Sequence, residues 1–472
     1  MADSSSTHQS PQRSGVPGSR PSEIGADLEA RSPWSTLSEV SSVTLSPLSH
    51  PVNADAVIPG SKSFTNRALI MAAMADGRSE LRGILRSDDS YWCMESLKTL
   101  GVSCQVQDDT VYIDGCSGAW PVHEGELYIG AAGTSARFLP GALAAAHQGK
   151  WTVRGSARLS QRPLRPLLDA LGQLGADIQF LEQPGQLPIQ VHGKGLSRGR
   201  TQISGKVSSQ FLSGLLLAAP YADGPVEIML TDEIVQHAYV WITIDLMRSF
   251  GATVEVDEDF RCFRVWPGHY RGQSLPLEAD ASTACYFFAL AAITGGRVRV
   301  TNLSRCTRQP DARFPEVLAQ MGCRVEEGDT YIEVQGPAIL KGGMEIDMKE
   351  MSDQALTLAA VSVFADAPVT VRGVAHIRHH ESNRIQAVCE SLGRLGIQAQ
   401  EREDGFTIVP GPIHAAALDS YDDHRVAMSW SLIGTRVPGI RILDPGCVSK
   451  TCPTYFELLE SLGVGVQYHK ET

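Results

Sequence analysis

Leu97-Lys98-Thr99-Leu100-Gly101-Val102 reads as the last turn of a helix, a glycine stop and the first residue of a strand. The phrase returns at Leu171–Ala176, Leu246–Ala252, Leu318–Cys323, Leu392–Ile397 and Leu459–Val464. Its glycines stand at 101, 175, 251, 322, 396 and 463, so the intervals are 74, 76, 71, 74 and 67 residues. Recurrence at so steady a spacing marks six copies of one structural unit. Glycine suits the position because a left-handed helix C-cap carries no Cβ penalty there.

Around each phrase the grammar is the same. Downstream runs such as SCQVQDDTVYID (103–114) and TVEVDEDFRCFRVW (253–266) alternate apolar with polar residues, the period of a half-buried hairpin. Upstream stands a second, more apolar helix, as in TSARFLPGALAAA (134–146) and DQALTLAAVSVFA (353–365). One unit is therefore strand, helix, strand, helix and two strands, and the fold class is α/β. Units of about 70 residues are long for a solenoid. Two similar domains of three units each pack more economically. The hinge is expected near Pro276–Glu278, with a second crossover near Ile58–Ser61. That division gives a first lobe over 62–277 and a second over 46–61 plus 278–472.

The chain has 472 residues, 43% hydrophobic and 20% charged, enough apolar material for two cores. Its formal net charge of −12 argues against a nucleic-acid surface, which needs clustered Lys and Arg. Small anions respond instead to the local field of a cleft. Ten cysteines occur without a CxxC pair or finger spacing, which reads as reduced thiols; Cys285 and Cys389 are expected in helix cores. No apolar run reaches the roughly 20 residues of a membrane span. Residues 1–45 are rich in Ser, Pro and Gly and are expected to form a disordered tail. The tail lacks an apolar signal core and carries Asp3, Glu23, Asp27, Glu29 and Glu39, unlike a transit peptide. A cytoplasmic monomer without cofactor or metal is expected.

The polar signals sit where helices begin. Pro59-Gly60-Ser61-Lys62-Ser63, followed by Asn66-Arg67, offers an anion free backbone N–H groups, a helix dipole, a Lys and an Arg. It is not a Walker A loop, since Ser61 and Ala56 stand where that motif needs glycines. A second small-residue turn, Gly130-Ala131-Ala132-Gly133-Thr134, leads to Arg137; Ser160-Gln161-Arg162-Pro163 and Ser208-Ser209-Gln210 follow. In the second half come Ser352-Asp353, His379-His380-Glu381-Ser382-Asn383-Arg384, Asp422-Asp423-His424-Arg425 and Lys450. Taken singly, a Ser or Asp at a helix start is usually a cap. A metal site from His376, His379 and His380 lacks a carboxylate at ligand spacing. Together the motifs describe a cleft lined by helix starts that binds one or two small phosphorylated or carboxylated anions.

In order along the chain, PGSKSFTNRAL (59–69), GTSARFL (133–139), QRPLRPLLDALGQLGA (161–176), SSQFLSGLLLAAP (208–220), EADASTACYFFALAAITGG (278–296), DQALTLAAVSVFAD (353–366), HESNRI (380–385), YDDHRVAMSWSL (421–432) and DPGCVSKTCPTYFE (444–457) resemble the 5-enolpyruvylshikimate-3-phosphate synthase family. The resemblance covers about Val57 to Val464. It implies two domains of three βαβαββ units around buried helices, an inside-out α/β barrel closing on its substrates. The implied reaction joins phosphoenolpyruvate to the 5-hydroxyl of shikimate 3-phosphate and releases phosphate. On the shikimate-3-phosphate side it implies Lys62, Ser63, Arg67, Ser208, Ser209, Gln210, Tyr239, Asp353, His376 and His380. On the phosphoenolpyruvate side it implies Lys62, Gly133, Arg137, Arg162, Gln210, Arg384, Arg425 and Lys450. Asp353, Glu381, Lys62 and His424 take the implied catalytic places, with Asp353 as base on the 5-hydroxyl and Glu381 as proton carrier at C3.

Two positions depart from the family pattern. Ala131 replaces a usual Asn, and His380 replaces a Lys that often precedes the Glu, which bears on sensitivity to the inhibitor glyphosate. Two other readings compete. A UDP-N-acetylglucosamine enolpyruvyl transferase would carry a catalytic Cys in the turn Ala131–Arg137, where there is none. A non-catalytic paralogue would bind a phosphorylated metabolite without turning it over.

Overall fold

The computed structural model describes residues 26–470. They form six four-stranded sheets, each built to one plan. In one of them Glu124–Tyr128 pairs in parallel with Lys150–Arg154, which pairs antiparallel with Ile189–His192, and that strand with Asp177–Phe180. The parallel pair needs a crossover, and the helix Gly133–Ala144 supplies it. The helix Arg165–Gln173 then leads into the antiparallel hairpin. All six repeat glycines adopt positive φ, from 82° to 101°, the left-handed stop that their spacing predicts.

Two apolar cores result. One gathers buried residues between Ala68 and Tyr270, the other residues 37–58 and 279–464. Each is centred on three helices: Lys62–Met74, Gly133–Ala144 and Ser209–Ala218 in the first, and Ala281–Thr294, Ala355–Ser362 and His424–Gly434 in the second. These helices are apolar on nearly every face because sheets and sister helices surround them. Fully burying one Leu or Phe is worth about 1.5–3 kcal/mol; the charged residues of these helices lie in the first two turns, and buried serines farther along, such as Ser362 and Ser431, donate to backbone carbonyls of their own helix. Close helix crossing depends on small residues. A Cβ on Gly214 would lie 2.0 Å from the Arg137 carbonyl oxygen, and one on Gly141 would lie 2.9 Å from Ala218 Cβ.

The chain passes between the cores twice, and the two passages are tied together. The Ser61 N–H donates to the Glu278 carbonyl at 2.8 Å, and the Asp280 N–H to the Pro59 carbonyl at 2.9 Å.

One expectation needs correction. Residues 1–25 of the predicted tail lie outside the described residues, but 26–45 are built into the fold. Val40–Ser46 is an inner strand, paired with Arg441–Leu443 on one side and Gly465–Lys470 on the other. Val43 and Leu45 are buried. Composition missed the strand because its partners lie some 400 positions away and supply the apolar surroundings that the segment itself lacks.

Candidate active site

The six buried helices begin toward the space between the cores; five of the motifs found in the sequence lie at those beginnings, while Arg162, the run 379–384 and Lys450 come from neighbouring turns. Lys62 is the first residue of its helix, capped by Ser61. Its ammonium lies 3.7 Å from the buried carboxylate of Asp89. One turn on, the Arg67 guanidinium donates through Nε to Thr243 Oγ1 at 2.7 Å and lies over the Phe138 ring. Burial lowers its pKa to about 10. Asn66 donates to Thr134 Oγ1 at 2.8 Å, which joins the first helix start to the second.

Gly133 opens that second helix beside two guanidiniums. A Cβ here would lie 2.9 Å from Arg162 Nη1 and 3.3 Å from Arg137 Nη1. Arg137 donates to the carbonyls of Gly133 and Pro163 and lies over Phe211. Burial, then the neighbouring Arg162, hold its pKa well below the usual value. Among the described residues no carboxylate stands within 4 Å of Arg67 or Arg137, whereas Arg162 reaches Glu381 at 3.9 Å. Ser208 caps the third helix by accepting from the Gln210 N–H. The Gln210 side-chain oxygen is buried with no partner among the described residues. The half-buried Tyr239 lies near Asp311 and Asp353, and its phenol pKa is raised, by desolvation above all.

The second half supplies a dense ionic network. Arg384 donates to Asp423 with Nε at 2.8 Å and Nη2 at 3.1 Å, to Asp353 at 3.0 Å and to Glu381 at 2.9 Å. Arg425 donates to the other Asp353 oxygen at 3.2 Å and to the Tyr286 hydroxyl. Lys450 stands 3.3 Å from Glu381 and donates to the Ala131 carbonyl across the cleft at 2.9 Å. Burial alone would raise both carboxyls. The surrounding cations overcome it: Arg425 and Arg384 hold Asp353 far below the carboxylate range, and Lys450 and Arg384 do the same for Glu381. Asp353 does not cap a helix; its carboxylate is spent on arginines instead.

His376, His380 and His424 are held neutral. Burial pushes His376 down to about 4, and it also holds His380 and His424 well below the usual imidazole value. His376 shares a hydrogen bond with Ser352 Oγ at 2.8 Å, and His380 with Arg384 at 3.0 Å. His424 is fully buried and its ring nitrogens have no hydrogen-bond partner among the described residues. His380 therefore brings no positive charge to the position where a Lys is usual.

Lys62, Gly133, Arg137, Arg162, Glu381, Arg384, Arg425, Lys450, Asp353 and His424 thus form one connected region. Ser63 gives Arg67 its carbonyl, Ser209 is buried beside Ser208, and Tyr239 reaches toward Asp353 from the first half. The sequence reading missed Asp89 and Asp311, and it named Asp423 only as part of the run 422–425. Asp423 was visible only as a cap, and it does accept from the Arg425 N–H; its second task, a bidentate grip on Arg384, depends on contact across the fold. Asp311 is buried, bonded to Ser282 and Gln354, and pushed up to about 6 by burial and then by Asp353. Arg158 also went unnoticed; it donates to the carbonyls of Glu381 and His380. No group of three or more metal-ligating side chains occurs among the described residues, and no helix there is long and apolar enough to cross a membrane.

Six βαβαββ units whose inner helices aim their starts at one cationic cleft are the architecture of an enolpyruvyl transferase. Comparison with solved structures agrees: an EPSP synthase from Acinetobacter baumannii superposes with a TM-score of 0.76 at 27% identity, over 90% of this chain and 99% of that one. The enolpyruvyl transferase NikO from Streptomyces tendae shares the fold, with a TM-score of 0.74 at 17% identity. The chain belongs to the EPSP synthase (3-phosphoshikimate 1-carboxyvinyltransferase) family, whose model matches residues 48–459. It is 54% identical over 446 residues to 3-phosphoshikimate 1-carboxyvinyltransferase 2 of Halalkalibacterium halodurans, covering 94% of this chain and 99% of that protein. It is 41% identical over 417 residues to the 3-phosphoshikimate 1-carboxyvinyltransferase of Methanoculleus marisnigri, covering 88% of this chain and 98% of that protein.

Proposed function

We propose that this chain transfers the enolpyruvyl group of phosphoenolpyruvate to the 5-hydroxyl of shikimate 3-phosphate, releasing inorganic phosphate, as a cytoplasmic enzyme without cofactor. The observation that carries the reading is the pair Arg67 and Arg137: two buried guanidiniums with no carboxylate within 4 Å among the described residues. A buried, unpaired charge is costly, and an anionic substrate group placed beside each offsets that cost. Both substrates are polyanions, so bringing them together needs this concentration of positive charge. Bidentate Arg and point-charge Lys match carboxylate and phosphate.

On this reading Lys62, Ser63, Arg67, Ser208, Ser209, Gln210 and Tyr239 hold shikimate 3-phosphate against the first half, with His376 and His380 at its edge. Gly133, Arg137, Arg162, Arg384, Arg425 and Lys450 hold phosphoenolpyruvate, and Lys62 and Gln210 touch both. Asp353 takes the proton from the 5-hydroxyl as that oxygen bonds to C2. Glu381 passes a proton to C3 and takes one back when phosphate leaves. Without substrate, Asp353 is clamped by Arg384 and Arg425, which makes it a weak base. Substrate anions that engage those arginines share their charge and return basicity to Asp353 where it is needed. His424, neutral and buried, stabilises the adduct through its ring nitrogens. The two halves, 62–277 and 46–61 with 278–472 and the strand Val40–Ser46, move as lobes that close on the substrates.

A coupled phosphate-release assay tests the reading. Phosphate should appear only when both substrates are present, and it should vanish with Asp353→Ala. Binding of both substrates without phosphate release would favour the non-catalytic paralogue.

A further inference from the structure

The segment before the strand Val40–Ser46 crosses from one half of the molecule to the other. On the second half, the Arg31 guanidinium is almost fully buried and binds two carboxylates, Asp444 at 2.6 Å and Asp422 at 3.2 Å. Asp422 stands directly before Asp423-His424-Arg425. Asp444 stands directly before the 3-10 turn Pro445–Lys450. Both aspartates have left-handed backbones, with φ of 52° and 48°, a conformation uncommon for residues with a Cβ but tolerated by Asp better than by most. Gly446 leaves room for this contact: a Cβ there would lie 2.5 Å from Arg31 Nη1.

On the first half, the Ser32 N–H donates to Asp88 Oδ1 at 2.8 Å. The other Asp88 oxygen accepts from Ser449 Oγ at 2.5 Å, so one buried carboxylate joins this segment to the residue before Lys450. The Trp92 indole N–H donates to the Ala30 carbonyl at 2.7 Å, and Arg86 lies over the Trp34 ring. Farther out, the Asp27 N–H donates to Asp422 Oδ2 at 3.2 Å, and the Asp27 carboxylate accepts from the Ala157 N–H at 3.4 Å.

We propose that residues 26–36 form a strap holding the two halves together, and that Arg31 is a positioning residue that sets Lys450, His424 and Arg425 through Asp444 and Asp422. Bonded to both halves, the strap limits how far they part before the substrates close them, so that phosphoenolpyruvate binding supplies less of the ordering. Burial holds the Asp422 carboxyl up at about 6 even with Arg31 beside it, consistent with a carboxylate that depends on that one cation.

The test uses the full chain carrying Arg31→Met, Arg31→Lys or Asp88→Asn. Its kinetic arm rests on the functional reading above; its scattering arm does not. Arg31→Met should raise the KM for phosphoenolpyruvate at least tenfold with a much smaller change in kcat. Small-angle scattering of the same protein without substrate should give a larger radius of gyration, and Arg31→Lys should restore part of both. Asp88→Asn keeps Arg31 and should show the same two changes if Arg31→Met fails to fold. An unchanged radius of gyration in variants that fold, or a fall in kcat at constant KM, would overturn the proposal. A larger radius in the variants, with no phosphate released by the unaltered chain given both substrates, would support the strap and refute the reaction instead.

Discussion

Lys450 Nζ stands 3.3 Å from Glu381 Oε1, in a cleft where the same Lys donates to the Ala131 carbonyl of the opposite half. One side chain therefore neutralises a buried acid and ties the two halves together. Glu381 remains ionised although most of its side chain is buried, because Lys450, Arg384 and Arg162 surround it.

Lys450→Met should remove both functions. Hydrogen bonds to charged groups contribute about 1.5–3 kcal/mol, so kcat/KM for phosphoenolpyruvate should fall roughly 10- to 100-fold or more. Steady-state kinetics at saturating shikimate 3-phosphate measures it, and a loss under threefold would count against the role.

Asp423 acts on stability as much as on the site. Asp423→Asn leaves Arg384 buried with its bidentate partner neutralised, and breaking a buried pair in this way costs about 3–5 kcal/mol. Chemical denaturation measures the change; a loss below about 1 kcal/mol would mean that Asp353 and Glu381 suffice to hold the guanidinium.

Gly133→Ala tests the packing of the two guanidiniums. The new methyl must displace Arg162, which lies 2.9 Å from it. Affinity for phosphoenolpyruvate should drop while shikimate 3-phosphate, held from the other side, binds nearly as before. Equal losses for both substrates in calorimetric titrations would contradict the assignment of Arg162.

The histidines set an acid limit. Burial brings His376 down to about 4 in the folded protein, below the ordinary 6.5 of an unfolded chain. Between these values the unfolded chain binds more protons, so this contribution to stability is intact above pH 6.5 and fades as pH falls toward 4. His376→Gln should flatten the stability-against-pH slope by about one proton in that window. Ring resonances of His376 that titrate near pH 6.5 in the native protein would refute it.

Much of this was readable in the sequence because it is local. Gly101, Gly251 and their four counterparts each end a helix within a few residues of the apolar pattern that predicts it. Lys62, Gly133 and Ser208 announce themselves as helix starts. What escaped is non-local. The strand Val40–Ser46 looks too polar to fold until Arg441–Leu443 and Gly465–Lys470 flank it. Asp88 and Asp89 look like ordinary first-turn acids, and Asp423 like an ordinary cap, until Ser449, Lys62 and Arg384 arrive from distant segments. Arg31 lies in a stretch whose composition suggests no structure at all.

The central claim is that cations from both halves act together on one anion. Phosphoenolpyruvate affinity in the presence of shikimate 3-phosphate, measured for Arg162→Met, Lys450→Met and the double variant, tests it most directly. Both side chains approach Glu381 Oε1, so each single variant should bind at least tenfold more weakly, and the double-mutant cycle should show coupling of about 0.5–3 kcal/mol. Undiminished affinity in either single variant, or strictly additive losses, would contradict the account.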